Sequence, residues 1–299
     1  MNRITPEKRA QVVTCLVEGN SIRATVRMAG VAKNTVTKLL VDLGTVCSIY
    51  QDRTLRDLTC ERVQCDEIWS FVYAKQKNVP AEKKGEAGDV WTWVAMDADT
   101  KLVPTYRIGP RDMGEAQQFM TDLAKRLRHP VQLTTDGHKP YLTAVQGAFG
   151  GDVDYAQLVK IYGPDPSSER RYSPPVCTGA VTQRVIGNPD PEHISTSYVE
   201  RQNLTMRMSM RRFTRLTNGF SKKVENLAAA VSLHFMHYNF CRIHKTLGTT
   251  PAVAAGVSDH VWTIAEIIAL LEIAEATPIK RGSYSKTRER KAAERGDSA

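Results

Sequence analysis

A glutamate followed by a row of basic residues is the clearest chemical signal in this sequence. At about 100° per residue, Glu200, Asn203, Arg207 and Arg211 fall within about one quarter of a helix circumference. A carboxylate is a ligand for hard divalent cations, and guanidinium groups bind phosphate through paired hydrogen bonds. Both groups on one side of a helix predict metal-assisted chemistry on nucleic acid.

Two aspartates earlier in the chain are the other candidate metal ligands. Asp66 lies in the β-rich run 63–73, and Asp136 follows the predicted strand 131–135. Phosphodiester chemistry often uses two Mg²⁺ ions about 3.5–4 Å apart, with carboxylates as ligands. Acids from two strands and one helix therefore predict a two-ion site formed by Asp66, Asp136 and Glu200, with Mn²⁺ as a substitute for Mg²⁺.

Each acid also has a purely structural interpretation. Asp66 and Glu67 are neighbours and point to opposite faces of a strand, so only one is expected to enter the site. Asp136 precedes a glycine in a common turn pair. Glu200 follows Ser197 at the spacing of a capping box, in which the carboxylate folds back on its own helix. These alternatives stay open at the level of the sequence.

The composition favours a polyanionic partner. The 299 residues carry a net charge of +9, and the pI is near 9.3. Nucleic acid is the commonest such partner, with a basic enzyme that has none as the alternative. No apolar run approaches the roughly 18 residues of a membrane span. The six cysteines form no Cys-x-x-Cys pair, so a structural zinc site is not expected, and a reduced cytoplasmic protein is the simplest interpretation.

The first 45 residues predict three short helices. The second and third are joined by a tight turn at Gly30, which is typical of a helix-turn-helix. A small helical bundle that does not touch DNA is the alternative. Residues 1–45 are therefore predicted as a DNA-binding domain and residues 46–60 as a linker. The candidate DNA contacts at the start of the third helix are Lys33, Asn34, Thr35 and Lys38.

Strand and helix patterns alternate from residue 61 onward. Three strands, a helix, a strand and a helix match the order of a ribonuclease-H-like fold, an α/β mixed sheet flanked by helices. Asp97, at a strand end, is the substitute ligand if Asp66 fails, although a hairpin turn is favoured for it. The predicted strands are 63–73, 90–96, 102–108, 131–135 and 153–161, and the predicted helices among them are 114–127 and 141–149.

The last part of the chain predicts further helices after a loop. Residues 163–195 are rich in Pro, Gly and Ser and predict an insertion or long loop within a catalytic domain at 61–255, with a possible short hairpin at 181–186. The segment 279–299 carries seven Lys or Arg counted from Lys280 and predicts a disordered basic tail. The helices predicted here are 197–217, 221–240 and one C-terminal helix within 256–278.

Three motifs resemble those of bacterial insertion-sequence DDE transposases. They are Asp-Glu-Ile-Trp at 66–69, Thr-Asp-Gly-His-Lys-Pro-Tyr at 135–141 and Tyr-Val-Glu-Arg-Gln-Asn at 198–203. The similarity is nearest to the group named after the first numbered insertion sequence, and it covers residues 60–255. Two features depart from the family. The chain lacks the Cys-rich zinc module of several relatives, and the interval from Asp136 to Glu200 is long compared with compact integrase cores.

The resemblance implies a DNA transposase that cleaves phosphodiester bonds at element ends and joins the 3′-OH to target DNA. It assigns Asp66, Asp136 and Glu200 as metal ligands and Arg207 as a DNA contact. Double-stranded DNA is the expected partner, and pairing of two ends implies a homo-oligomer in the bacterial cytoplasm, associated with the nucleoid. A DNA-binding regulator with an inactive core and a metal-dependent nuclease are the alternatives.

Overall fold

Nine labelled helices surround a single sheet in the part of the chain that the structure describes. This is a computed structural model, which describes residues 4–163, 176–214 and 217–276. The helices are α1 (Pro6–Val17), α2 (Ile22–Ala29), α3 (Lys33–Thr54), α4 (Met113–Ala124), α5 (Pro140–Phe149), α6 (Ser197–Ser209), α7 (Val224–Met236), α8 (Pro251–Ala254) and α9 (Ile264–Ala276).

The helix α2 has a serine cap at its start and ends at the glycine turn that the sequence predicts. The hydroxyl of Ser21 accepts a hydrogen bond from the amide of Ala24 at 3.1 Å, which satisfies one of the unpaired amides of the first turn. At the other end Gly30 has a φ of 63°, a left-handed conformation that glycine adopts without strain. A short turn then leads into α3. That these two helices bind DNA remains a prediction.

The helix α3 is longer than predicted. It continues to Thr54, so most of the segment 46–60 expected as a linker is helical. The cause is packing, because the buried face of α3 continues past Leu43 and Cys47 and lies against α7. The approach is close at Gly44, where an added Cβ would lie 2.4 Å from the Cα of Ala229.

Six strands form one mixed sheet, in the order β3-β2-β1-β4-β5-β6. β2 pairs antiparallel with both β1 and β3, whereas β4 pairs parallel with both β1 and β5. This order and these directions confirm the predicted ribonuclease-H-like fold. The strands are β1 (Arg62–Val72), β2 (Gly88–Asp97), β3 (Tyr106–Gly109), β4 (Gln132–Asp136), β5 (Asp154–Gly163) and β6 (Val176–Ile186).

The strand β6 corrects the prediction of a long loop at 163–195. It pairs antiparallel with β5, from Tyr155 opposite Ile186 to Gly163 opposite Val176. Its described side chains are mostly exposed, so the strand has no alternating apolar pattern that would reveal it. Residues 164–175 of the predicted insertion lie outside the described residues, as does the predicted basic tail at 279–299.

The two faces of the sheet carry different helices. On one face the ring of Trp93 lies 5.9 Å from that of Phe119 in α4 and 5.5 Å from that of Tyr141 in α5. On the other face α6 crosses β1, where Asn203 donates a hydrogen bond to Asp66. Successive residues of β1 therefore address different helix layers.

The C-terminal helix α9 packs back on the N-terminal helices α1 and α3. The guanidinium of Arg9 in α1 is buried and lies 3.9 Å from a carboxylate oxygen of Glu272 and 3.6 Å from one of Glu275. One continuous apolar core consequently joins the N-terminal helices to the sheet. Among the described residues no helix combines the length and apolar character that crossing a membrane requires.

Candidate functional site

Strand geometry brings Asp66, Glu67 and Asp136 together. β1 pairs with β4 as far as Cys65 and Thr135 and then continues beyond the end of β4. Asp136 is the last residue of β4, and the two acids of β1 stand beside that open strand end. One oxygen from each of the three carboxylates lies within 4.8 Å of the other two. Such a group of oxygen ligands suits a hard divalent cation.

Glu67 belongs to this acidic group, which the sequence did not predict. Its neighbour Asp66 faces α6, and alternation sends Glu67 towards α5. Glu67 has no pairing partner in β4, so its long side chain can reach the space beyond the end of β4 from the α5 side. The side chain is only 1% exposed. Adjacent acids on opposite faces of a strand can therefore still share one site at a strand end.

Asp66 is partly buried, and the side-chain amide of Asn203 forms a hydrogen bond with its carboxylate. Its Oδ2 accepts a hydrogen bond from the Nδ2 of Asn203 at 2.8 Å. Burial raises the pKa of Asp66 to about 6, and the negative charges of Asp136 and Glu200 add to the rise. The carboxylate would thus be stabilised by a nearby positive charge.

Arg111 pairs with two of the acids. Its Nε lies 3.0 Å from the Oε2 of Glu67, and its Nη2 lies 3.2 Å from the Oδ2 of Asp136. Burial and the charge of Asp136 nevertheless raise the pKa of Glu67 to about 7. The hydroxyl of Tyr141 interacts with the Glu67 carboxylate and partly offsets the rise of its pKa, but neither that hydroxyl nor the Oε1 of Glu67, both buried, makes a hydrogen bond of ordinary geometry among the described residues. A buried oxygen of this kind is costly unless something binds it.

Asp136 has a turn role as well as a place in the acidic group. Its Oδ1 accepts a hydrogen bond from the amide of His138 at 3.0 Å. Between them, Gly137 leaves room for β5, since a Cβ there would lie 2.9 Å from the Cγ2 of Val159. The two interpretations offered by the sequence are therefore compatible.

Glu200 stands apart from the acidic group. Its Oε2 pairs with the ammonium of Lys160 in β5, and its Oε1 accepts a hydrogen bond from the hydroxyl of Thr196 at 2.5 Å. The capping role is not taken by Ser197, because Thr196 occupies the position before the first turn of α6. The charge of Glu200 still raises the pKa of Asp66, so the two carboxylates interact across the site.

One cavity of about 970 Å³ contains all three acids predicted from the sequence. Basic side chains from four different segments line it together with the acids. A cavity with this mixture suits a ligand that carries negative charge and binds a cation. The charged and amide residues in its lining are Asp66, Glu67, Asp136, Glu200, Arg111, Lys139, Lys160, Asn203 and Arg207.

The predicted basic stripe is only partly on one helix. α6 ends at Ser209 rather than at residue 217, so Asn203 and Arg207 lie on it and Arg211 lies beyond its end. Arg207 lines the cavity, whereas Arg211 is exposed and lines a separate small cavity next to α1. Asn203 is 3% exposed and donates a hydrogen bond to Asp66, so it positions that carboxylate; that it also contacts DNA remains a prediction.

The four candidate contacts of the N-terminal helices lie in the first two turns of α3 and do not line the cavity. Lys33, Asn34 and Lys38 are exposed, and Thr35 is partly exposed. The ammonium of Lys38 pairs with Asp42 one turn later. These residues form an accessible polar surface at a helix start.

Asp97 has the turn role that the sequence favours for it. It is 1% exposed, and its Oδ2 accepts hydrogen bonds from the amide of Thr100 at 3.0 Å and from the hydroxyl of the same residue at 2.5 Å. It does not line the cavity. Asp66 is therefore the acid of the first three strands that reaches the site from the α6 side.

Comparison with known proteins gives distant structural likenesses. The sequence matches no protein-family model and no curated protein. A piggyBac transposase in a synaptic complex with hairpin DNA is 12% identical, with a TM-score of 0.40. The match extends over 93% of this chain and 75% of the piggyBac chain. Endonuclease V from Bacillus subtilis is 16% identical, covers 64% of this chain and 90% of its own, and has a TM-score of 0.24.

Two structures of Mos1 transposase also match. A paired-end complex with the left transposon end is 13% identical with a TM-score of 0.23, and it covers 52% of this chain and 60% of its own. The mariner paired-end complex with Mn is 12% identical with a TM-score of 0.28, and it covers 79% of this chain and 77% of its own. Scores this low carry no argument about activity, and the fold assignment stands on the order and directions of the strands.

Proposed function

We propose that the chain is a DDE-type DNA transposase related to those of bacterial insertion sequences. The observation that carries this proposal is that Asp66, Asp136 and Glu200 all line one cavity, although 70 and 64 residues separate them in turn. Its basic lining suits a phosphodiester. A bacterial cytoplasmic location, with association to the nucleoid, follows from this activity.

The acids fit a divalent cation by their chemistry and burial. Asp66, Glu67 and Asp136 would hold one Mg²⁺ or Mn²⁺, since their oxygens already lie within 4.8 Å of one another. Glu200 would join a second ion after leaving Lys160. When bound, a pair of such ions supplies charge stabilisation to the attacking and leaving oxygens of a phosphodiester.

The protein's own side chains orient both the acids and the DNA. Asn203 holds the carboxylate of Asp66, and Arg111 holds those of Glu67 and Asp136. Lys139 and Arg207 line the same cavity and would contact phosphates on either side of the cleaved bond. These contacts would position the DNA backbone and would not depend on the base sequence.

Sequence recognition would belong to α2 and the start of α3. A short glycine-containing turn joins the two helices, and the exposed Lys33, Asn34, Thr35 and Lys38 would enter a DNA groove. Arg211 would add a phosphate contact next to α1. Pairing of two element ends would require two copies of the chain.

A metal-dependent nuclease is the second candidate. The specific observation in its favour is that Asp66, Glu67 and Asp136 form a complete acidic group without Glu200. Such a site would hydrolyse DNA and would not need to bind a second end.

A strand-transfer assay separates the two candidates. The full chain is incubated with Mg²⁺, a supercoiled target plasmid and linear fragments from either side of its coding region. A transposase joins a fragment end to the plasmid, and Asp66→Asn, Asp136→Asn and Glu200→Gln each abolish joining. Asp152→Asn, an exposed acid outside the cavity, is the matched control. Cleavage without joining that survives Glu200→Gln supports the nuclease, and no metal-dependent reaction at all rejects both.

A further inference from the structure

An exposed tryptophan stands next to the acidic group on the same strand. Trp69 follows Glu67 by two residues, so both side chains leave the same face of β1, about 7 Å apart along the strand. The ring of Trp69 is 40% exposed. An exposed tryptophan beside an acidic cavity needs a reason, because its large apolar surface would be more stable buried.

Other aromatic rings fix the position of Trp69. Its ring centroid lies 5.8 Å from that of Phe71, and Phe71 lies 4.9 Å from Phe220. Phe220 is anchored because its neighbour Ser221 forms a β-bridge with Val72. The exposed ring is thus held in place by neighbouring aromatic rings, so little conformational entropy is lost when a ligand binds to it.

A lysine-rich segment borders the same ring. The Nζ of Lys75 lies 5.7 Å from the centroid of Trp69. Lys75, Lys77 and Lys84 are exposed, while Lys83 pairs with Glu86 at 2.9 Å. An exposed aromatic ring with the ammonium group of Lys75 over it is complementary to a nucleotide, which presents a flat base and a charged phosphate.

We propose that Trp69 is a stacking platform for an unpaired base of the DNA substrate, with Lys75 as the contact to its phosphate. The inference rests on the proposed function and extends it by naming the form of the substrate: DNA with a base out of the duplex near the cleaved bond. A paired base keeps both faces in its own stack and offers Trp69 no surface. The platform therefore distinguishes unpaired from duplex DNA.

The test compares binding of a mixed-sequence single strand of 20 nucleotides with binding of the corresponding duplex, by fluorescence anisotropy in EDTA. Trp69→Leu is expected to weaken single-strand binding by about 5- to 150-fold and to leave duplex binding within about twofold. Trp69→Phe keeps a ring and restores most of the affinity. Tyr198→Leu is the matched control, because Tyr198 is 44% exposed with Lys101 3.4 Å from its centroid but lies on α6 rather than on β1.

Three results of the binding assay would overturn the platform. They are unchanged single-strand binding by Trp69→Leu, an equal loss on duplex DNA, and an equal loss in Tyr198→Leu. A change of oligomer mass in Trp69→Leu with unchanged DNA binding also overturns it, since the ring would then serve a protein contact. Thermal melting of each variant verifies folding, and Trp69→Phe keeps the test decisive if the leucine variant is unstable.

Failure of the platform can be distinguished from failure of the proposed function, because binding is measured without metal. A protein that shows the Trp69 effect but no metal-dependent cleavage keeps the platform and loses the transposase assignment. If the protein cleaves and joins DNA but Trp69→Leu binds single strands normally, the transposase assignment is kept and the platform is rejected.

Discussion

The ammonium group of Lys160 in β5 pairs with the Oε2 of Glu200 in α6. Arg111 pairs in the same way with Glu67 and Asp136 on the other side of the site. Two basic side chains thus neutralise the acids that a divalent cation would neutralise. Binding of a cation by Glu200 would therefore compete with the Lys160 pair.

This competition predicts tighter metal binding when the lysine is removed. Lys160→Gln should raise the affinity for Mn²⁺ about two- to fivefold, because the pair is partly exposed and such pairs contribute about 0.2–1 kcal/mol. Isothermal titration calorimetry measures the affinity. The double variant Lys160→Gln, Glu200→Gln is the control, since a gain that persists without Glu200 would show a general charge effect and contradict the competition.

Neutralising Asp66 should stabilise the protein in the absence of divalent cations. Its pKa is raised to about 6, so the stability it contributes is fully present below about pH 4 and is lost as the pH rises through about 6. Asp66→Asn removes this loss and can still hydrogen-bond to Asn203. At pH 8 in EDTA the free energy of unfolding, measured with urea, should rise by up to about 3 kcal/mol.

Two controls bracket the Asp66 prediction. Asp152→Asn, which changes an exposed acid, should leave stability within about 0.5 kcal/mol of the original. Saturating Mn²⁺ should stabilise the original protein more than Asp66→Asn. A destabilised Asp66→Asn in EDTA would show that the carboxylate is held by contacts stronger than its desolvation.

His234 predicts a loss of stability in acid. It is 5% exposed, its Nε2 has no hydrogen-bond partner among the described residues, and burial lowers its pKa from 6.5 to about 3. The stability contributed by the neutral ring is present above about pH 6.5 and is lost as the pH falls towards 3. Each pH unit in that window costs up to about 1.4 kcal/mol.

Urea unfolding between pH 7 and pH 4 measures this effect. His234→Gln, which cannot take up a proton, should give a shallower decrease of unfolding free energy with falling pH. His129→Gln, an exposed histidine, should follow the original curve. Parallel curves for His234→Gln and the original protein would assign the acid sensitivity to other groups.

Substituting Gly44 in α3 by alanine should destabilise the protein, although the position is helical. Alanine normally favours a helix over glycine by about 1 kcal/mol. At Gly44, however, the added Cβ would lie 2.4 Å from backbone atoms of Ala229, which cannot move aside as a flexible side chain would. Gly44→Ala should lower the free energy of unfolding by about 1–3 kcal/mol.

Gly114 in α4 is the matched control for Gly44. A Cβ there would lie 3.4 Å from the Oδ1 of Asp112, which is an ordinary contact. Gly114→Ala should therefore stabilise the protein by about 0.5–1 kcal/mol. Equal effects of the two substitutions on the urea midpoint would show that α3 and α7 are not in rigid contact.

Most of the sheet was predictable because its strands carry local signals. The β-rich run around Asp66 and the alternating Val-Gln-Leu-Thr-Thr segment before Asp136 correspond to β1 and β4, and the order of elements predicted the fold. β6 was not predictable, because exposed side chains on both faces give it no periodicity. The length of α3 was also missed, since packing against α7 rather than a cap determines where it ends.

The site was only partly visible in the sequence. Spacing and residue type pointed to Asp66, Asp136 and Glu200, and all three line one cavity. The roles of Glu67, Arg111 and Lys160 depend on the open end of β4 and on the position of β5, which are long-range features. Strand alternation argued against Glu67, and only the register of β1 against β4 shows why it reaches the site.

The 22 residues of α3 form one uninterrupted rod of about 33 Å. Its first turns carry the exposed polar surface, and its second half packs against α7. If that surface binds a DNA sequence, as proposed, this rigid helix would set the distance between the bound sequence and the cavity. Inserting one helical turn into α3 would then shift the proposed cleavage position along the duplex.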